Sequence, residues 1–372
     1  MSLRSGQTRN SVGQVLVAGS SGVVGQAAVE AFVAAGWDVI AVSRRPPDIA
    51  PSSRWRHLAL DLLDSDACKT AAQSMRGVTH VVYAALYEKP GLVAGWRDEE
   101  QMATNLAMLR NLLGPLRDHT SLAHVSLLQG TKAYGVHLKP FAVPARESWP
   151  RHPHANFYWL QEDFVRSELA SRDVGFTIFR PQIVFGDAIG AAMNVLPVLT
   201  AYGAICRHEG RPFCYPGGPD YLLEAADARL IGRALVWAAS AAAARNETFN
   251  ITNGDVFCWR NVWPAIAAAL GMRQGADTPL KLAEWLLAKT EAWDAIVRRY
   301  GLRRVALADL LGQSHIYADF VMASGATREP KPVLVSTIKL RQAGFGDCID
   351  TEQMFRELIA TMVEKRLAPA VN

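Results

Sequence analysis

Along the first half of the chain, short unbroken apolar runs alternate with longer stretches whose apolar residues recur at helical intervals. "QVLVA" at 14–18 is apolar throughout and ends in Gly19, as expected of a strand covered on both faces. After a Gly/Ser turn, "VVGQAAVEAFVAAGW" has helical spacing and closes on Gly36. "DVIAVSRRP" reads as the next strand, cut off by charge and proline. "RHLALDLLD", "DACKTAAQSM" and "THVVYAAL" continue the alternation of strand and helix. A long helix is predicted over about 98–117 with Asn105 near its middle, and "SLAHVSLLQG" follows as a strand. Another helix starts near Tyr158 and runs to about Ser171, and "GFTIFRPQIVFG" reads as a single strand. Repeated units of this kind predict an α/β fold: a Rossmann-type doubly wound parallel sheet with right-handed crossovers.

The alternation stops after Gly186. Residues 187–222 read as irregular and Pro/Gly-rich, with "EGRPFCYPGGPDY" the densest turn cluster. "EAADARLIGRALVWAASAA" is predicted as a helix, the alanine run at 238–244 lies inside it or ends it, and "TFNITNG" is a strand ending in a turn. From 258 to 332 the pattern is helical, and Trp259, Trp263, Trp285 and Trp293 are expected mainly in a core.

Composition narrows the class. The 372 residues are 50% apolar and 20% charged, the profile of a packed globular protein. A dispersed net charge of +4 argues against nucleic acid as a partner and suits an anionic ligand. The cysteines at 68, 206, 214, 258 and 348 show neither Cys-x-x-Cys nor a matching histidine, so reduced thiols and a cytoplasmic location are expected and no metal cluster is visible. "MSLRSGQTRN" lacks an apolar segment, so no signal peptide is expected, and "MSL" is consistent with a cloning remnant. No apolar run is long enough to predict a membrane span.

"VAGSSGVVG" sets Gly19, Gly22 and Gly25 between a strand and a helix. The first glycine permits the tight turn, the second lets backbone approach a pyrophosphate, and the third lets helix and strand pack closely. Gly19, Ser21, Gly22, Val23, Val24 and Gly25 are therefore candidate dinucleotide contacts, with the helix N-terminus facing the phosphates. At the end of the second strand stand Ser43, Arg44 and Arg45, with no acid before Asp48. An acid there would select NAD, whereas a hydroxyl and two guanidiniums suit the 2′-phosphate of NADP(H). Asp61 and Leu62 are expected near the adenine, and Ala84, Ala85 and Gln129, at the ends of two later strands, join the cofactor set. The expected division is an NADP-binding Rossmann domain over 12–186, to which 223–257 partly returns. A smaller, mostly helical substrate domain takes 187–222 and 258–368.

Tyr-x-x-x-Lys, the catalytic pair of many such enzymes, is missing: four residues on from Tyr158 is Glu162, and from Tyr134 it is Leu138. The lysine lowers the tyrosine pKa and holds the nicotinamide ribose, which requires proximity and not a fixed spacing. Lys132 follows the carboxyl end of one strand and Tyr158 opens the next helix, so the two can converge on one crevice.

"GTKAYG", "NFYWLQEDF", "AICRHEGRPFCYPGG", "ARNETFNITNGDVFCWRNVW" and "LRQAGFGDCIDTEQMF" resemble the progesterone 5β-reductase/iridoid synthase-like family, an extended branch of the short-chain dehydrogenases/reductases, over about 14–368. The resemblance implies NADPH-dependent 1,4-reduction of enones and enals, with a small hydrophobic substrate, with Lys132 and Tyr158 catalytic and in contact with the cofactor, and with Tyr158 also in contact with the substrate. It also implies that Val184 lies under the nicotinamide, that Ala191 and Met193 lie near its far end, and that Phe141 lines the substrate pocket. The loop "AYGVHLKPF" is longer than in plant steroid-reducing members, and Trp159 stands where many members have a second tyrosine. Two other readings stay open. One is a carbonyl reductase or sugar-nucleotide epimerase of the same superfamily, disfavoured by the missing Tyr-x-x-x-Lys. The other is an NADP-binding sensor without turnover, disfavoured because Tyr158 and Lys132 are both present. His137, His152 and His154 read as a polar surface loop, and "RHEG" at 207–210 as a structural turn. A homodimer is one assembly open to the chain, and no nucleic-acid or membrane partner is expected.

Overall fold

Valine, leucine and isoleucine fill the central strands without alternating, because both faces are covered. The strands are β1 (Gln14–Ala18), β2 (Asp38–Ser43), β3 (Trp55–Ala59), β4 (His80–Tyr83), β5 (His124–Leu128), β6 (Gly175–Pro181), β7 (Ile183–Phe185), β8 (Ala225–Asp227) and β9 (Glu247–Ile251). This computed structural model describes residues 11–169 and 173–371. The first ten residues, read above as free of a signal peptide, lie outside that range, as do 170–172, where the predicted end of the Tyr158 helix falls. Seven strands form one parallel sheet in the order β3-β2-β1-β4-β5-β6-β9, and β7 pairs with β8 separately. The chain thus winds outward from β1 to one edge and from β4 to the other, which is the doubly wound arrangement expected.

The helices are α1 (Val23–Ala34), α2 (Ser65–Gln73), α3 (Glu99–His119), α4 (Phe157–Leu169), α5 (Val195–His208), α6 (Ala228–Ala238), α7 (Trp259–Ala269), α8 (Leu282–Leu287), α9 (Thr290–Tyr300), α10 (Leu307–Leu311), α11 (Ser314–Val321), α12 (Ile338–Gln342) and α13 (Thr351–Glu364). Leu16, Ala18, Val81 and Val125 pack against Ala72 of α2, Leu109 and Leu113 of α3 and Val165 of α4. On the opposite face Val15, Val17 and Val39 meet Val29 and Phe32 of α1 and Ile231 and Leu235 of α6.

Three sequence expectations need correction. Residues 187–222 are not all irregular, because α5 runs through them. Its residues from Val195 to Cys206 are buried all round, so the segment has no polar face to reveal a helical period. "GFTIFRPQIVFG" is two strands, not one: the chain leaves β6 at Pro181 and resumes as β7, which pairs with β8 in the second sheet. The helix predicted from Glu224 starts only at Ala228, capped by Asp227 through Arg229 N–H, because Ala225–Asp227 is β8.

A second core gathers α5, α7, α9 and α13 around Trp259, Trp263 and Trp293. Each of the three indoles donates to a carbonyl: Trp259 to Val321 at 3.0 Å, Trp263 to Phe213 at 3.2 Å, and Trp293 to Val305 at 2.9 Å. Trp263 lies flat against Phe213, with ring centroids 4.4 Å apart and planes 4° from parallel. Asn253 ties this region to the small sheet, accepting from Asp227 N–H at 2.7 Å and donating to the Thr351 hydroxyl at 3.1 Å. The "RHEG" segment, read as a turn, is half helix: Arg207 and His208 close α5 and only Glu209 and Gly210 turn, while Arg207 donates to the carbonyls of Leu270 and Ala370 and Glu209 pairs with Lys289. Trp263→Ala is expected to remove about 3–5 kcal/mol of stability, read as a lower urea midpoint.

Candidate active site

The strand order reverses between β1 and β4, and a cavity of about 700 Å³ opens there along the carboxyl ends of the strands. Its first wall is the glycine loop. Gly19 takes φ +78°, and its N–H and that of Ser20 donate to Val42 O at 2.9 and 3.1 Å. A Cβ on Gly19 would come within 2.6 Å of Ala85 N, and one on Gly25 would run into the Gly19 carbonyl. Gly25 is therefore a packing glycine and is not part of the cavity wall, whereas Gly19, Ser21, Gly22, Val23 and Val24 are. Gly22 caps α1 without a side chain, so the first-turn N–H groups face the cavity uncovered, a cradle suited to phosphate.

Ser43, Arg44 and Arg45 line the cavity at the end of β2. The Ser43 hydroxyl is already engaged, 2.7 Å from Ser20 Oγ and donating to Arg45 O at 2.5 Å, so it holds the turn together. Both arginines are exposed, and neither forms an ion pair among the described residues. Asp48, the nearest following acid, is bound to Arg303 at 2.6 Å and does not neutralise them. Asp61 and Leu62 follow β3, and Ala84 and Ala85 follow β4, all in the same wall.

The other end of the cavity holds Lys132, Tyr158 and a third ionisable group. Lys132 sits in a single 3-10 turn, Thr131–Tyr134, after β5. Its side chain is 12% exposed, 3.5 Å from Glu88 Oε1, and its ammonium lies 4.4 Å from the centroid of the Trp96 ring. Burial pulls the Lys132 pKa below its ordinary value, and Glu88 pulls it back up. Tyr158 is held at the start of α4, where Asn156 Oδ1 accepts its N–H at 3.0 Å and Gln129 Nε2 donates to its carbonyl at 3.2 Å. Its hydroxyl is aimed at Gly130, where a Cβ would lie 3.2 Å away. Burial, then the charge of Glu88, pushes the Tyr158 phenol well above its usual range, so it stays protonated as a hydrogen-bond donor.

Lys132, Tyr158, Val184, Ala191 and Met193 all line this cavity, as does Gln129. The Gln129 side chain is nonetheless spent inside the protein, on Tyr158 O, Glu162 and Arg180. Phe141 is not brought to the cavity; it packs with Tyr134 at 6.3 Å between centroids, in a cluster with Ala145 and Val335. The histidines are not a solvated loop either. His152 and His154 approach to 2.9 Å through their Nδ1 atoms, and His137 stands edge-on to Trp96, all three half-buried. Glu162, in the position of the missing lysine, meets Arg151 and Arg166 at 3.0 Å and Arg180 at 3.5 Å.

Glu88, Tyr317 and Trp96 escaped the reading of the sequence. Glu88 stands in "LYEKP", a loop that carries no motif, and only the topology brings it beside Lys132. Tyr317 and Phe320 come from α11, more than one hundred residues further on, and give the cavity an aromatic wall with Trp96 and Phe157.

A family profile described as "NAD dependent epimerase/dehydratase family" matches residues 15–252. The chain is 31% identical over 321 residues to an (S)-8-oxocitronellyl enol synthase of Nepeta racemosa, covering 81% of each chain. It is 29% identical to the enzyme of that name from Antirrhinum majus, over 95% of this chain and 92% of the other. A 3-oxo-Delta(4,5)-steroid 5-beta-reductase of Arabidopsis thaliana is 30% identical over 79% of each chain. Among solved structures, UDP-glucose 4-epimerase from Thermotoga maritima superposes with TM-score 0.66 at 16% identity, over 94% of this chain and 99% of the other. A short-chain dehydrogenase/reductase superfamily protein from Agrobacterium tumefaciens with bound NAD gives 0.63 at 17%, over 95% and 98%. At these identities the two structures speak for the fold alone.

Gly25→Ala is expected to push α1 off β1, at a cost of about 1–3 kcal/mol. Differential scanning fluorimetry should show a lower melting temperature, and NADPH titration a weaker affinity.

Proposed function

The chain belongs to the NAD dependent epimerase/dehydratase family, alongside iridoid synthases and progesterone 5β-reductases, and from that premise we propose that it is an NADPH-dependent reductase of activated C=C bonds in enones and enals. One observation carries this reading: Tyr158, Lys132 and the glycine loop line a single cavity. An aromatic wall at the Tyr158 end supports a small hydrophobic substrate. Arg44 and Arg45, without an ion-pair partner among the described residues, support NADP(H) over NAD(H), because a guanidinium fork matches a 2′-phosphate.

Gly19 and Gly22 would let the backbone close on the cofactor's pyrophosphate, and Val184, Ala191 and Met193, which line the same cavity, would hold its nicotinamide. When bound, the reduced cofactor supplies hydride to the β-carbon of the conjugated system. Charge then builds on the carbonyl oxygen, and the protonated Tyr158 hydroxyl donates a hydrogen bond to it there. Such a donor matters more in the transition state than in the ground state, so it acts on rate more than on binding. Lys132 supplies a buried positive charge beside the reacting centre. The α-carbon takes its proton from solvent. An epimerase of the usual kind finds less support, since Glu162 stands in the position of its lysine and is tied to three arginines.

Tyr158→Phe is expected to lower kcat for NADPH-dependent reduction of 2-cyclohexen-1-one by roughly 10²–10³-fold. NADPH affinity, measured by fluorescence titration, should stay close to that of the parent. Equal activity of the two proteins would remove Tyr158 from the mechanism. Replacing Arg44 and Arg45 by alanine should weaken NADPH binding by roughly tenfold or more while leaving NADH almost unaffected, since each charge-assisted hydrogen bond lost is worth about 1.5–3 kcal/mol.

A further inference from the structure

Glu88 reaches the cavity wall from the loop after β4, with its side chain only 3% exposed. Its carboxylate is held from behind by Gln101, whose Nε2 donates to Oε2 at 2.7 Å. The Gln101 side chain is oriented in turn, because its Oε1 accepts from Lys89 N–H at 2.8 Å. Oε1 of Glu88 is left facing the Lys132 ammonium at 3.5 Å, and the face of Trp96 closes the other side. Neither Lys132 Nζ nor Glu88 Oε1 has a hydrogen-bond partner among the described residues. A carboxylate and an indole ring are thus what compensates an ammonium taken out of water.

We propose that Glu88 is a positioning residue of the active site: its carboxylate keeps the Lys132 side chain charged and fixed along the wall of the cavity that Tyr158 also lines. The kinetic consequence rests on the reductase reading above; the electrostatic one does not. Other groups near Lys132 cannot take over this role. Tyr158 from α4 and Tyr317 from α11 are phenols that burial keeps neutral. His137 is also neutral near pH 7, its pKa brought down to about 4 by burial and then by His154 and Lys132 itself. Lys89, next in the loop, is tied to Asp98 and Glu100. Asp61, the other carboxylate of the cavity wall, follows β3 at the opposite edge of the sheet.

The direction of the effect follows. Burial favours the neutral amine and also pushes the Glu88 carboxyl up, while each group draws the other toward its charged form. Without the carboxylate, burial is opposed only by the Trp96 ring, and the amine loses its proton at a lower pH. An opposite charge at this distance moves a pKa by roughly 1–3 pH units.

The test compares the parent with Glu88→Gln, which keeps the shape and an acceptor for Gln101, and with Glu88→Asp, which withdraws the carboxylate by one methylene. The Lys132 Cε resonance of 13C-lysine-labelled protein, assigned by its loss in Lys132→Met, is titrated with NADP+ present and absent. Enone reduction is followed over the same pH range. In Glu88→Gln the Lys132 midpoint should fall by roughly 1–3 pH units, and the alkaline limb of kcat/KM should move down with it. Glu88→Asp should shift both in the same direction by less, and it decides the question if the amide variant does not fold. A Lys132 midpoint that stays where the parent has it in either variant overturns the proposal. A parent that turns over no enone overturns the reductase reading instead, and the resonance still decides whether Glu88 holds the ammonium.

Discussion

Parallel strands end on the same side, and five parts of the candidate site depend on that constraint. The glycine loop follows β1, the two arginines follow β2, Asp61 follows β3, Glu88 follows β4, and Lys132 follows β5. None is close to the others in sequence. The sheet register aligns the carboxyl ends, so residues that each leave a different strand meet in one crevice. The outward winding from β1 and β4 then leaves a gap between the first turns on either side, and the cavity occupies it.

What could be read from the sequence follows from how far each signal reaches along the chain. The sheet was legible because its strands are apolar on both faces and its turns are marked by glycine and charge. The glycine loop was legible because its chemistry lies within a few residues. The small β7–β8 sheet was not, since three-residue strands carry no period of their own and Ile183–Phe185 merges with the run before it. α5 was hidden by its complete burial. Glu88 is the instructive omission: a lone acid in a loop carries no pattern, and its meaning comes from a lysine forty-four residues later. Phe141 was assigned by resemblance, yet here it turns toward Tyr134 and leaves the aromatic wall to Trp96, Phe157 and Tyr317.

Electrostatically, the two ends of the cavity are opposites. At the β2 end, the exposed guanidiniums of Arg44 and Arg45 have no ion-pair partner among the described residues. At the Tyr158 end an ammonium and a carboxylate are both nearly buried and face one another, while the tyrosines beside them remain neutral. Charge at the first end is open to a ligand from solution, and charge at the second is matched internally.

The cluster around Glu162 constrains which neighbouring sequences could work. In the more common helix arrangement, the ammonium would occupy this position. Here Arg151, Arg166 and Arg180 already converge on it, and Gln129 links the same carboxylate to the backbone of Tyr158. A lysine there would bury a fourth cation among three and deprive Gln129 of the carboxylate it binds beside the Tyr158 carbonyl. A lysine at this position would therefore require the three arginines to change with it.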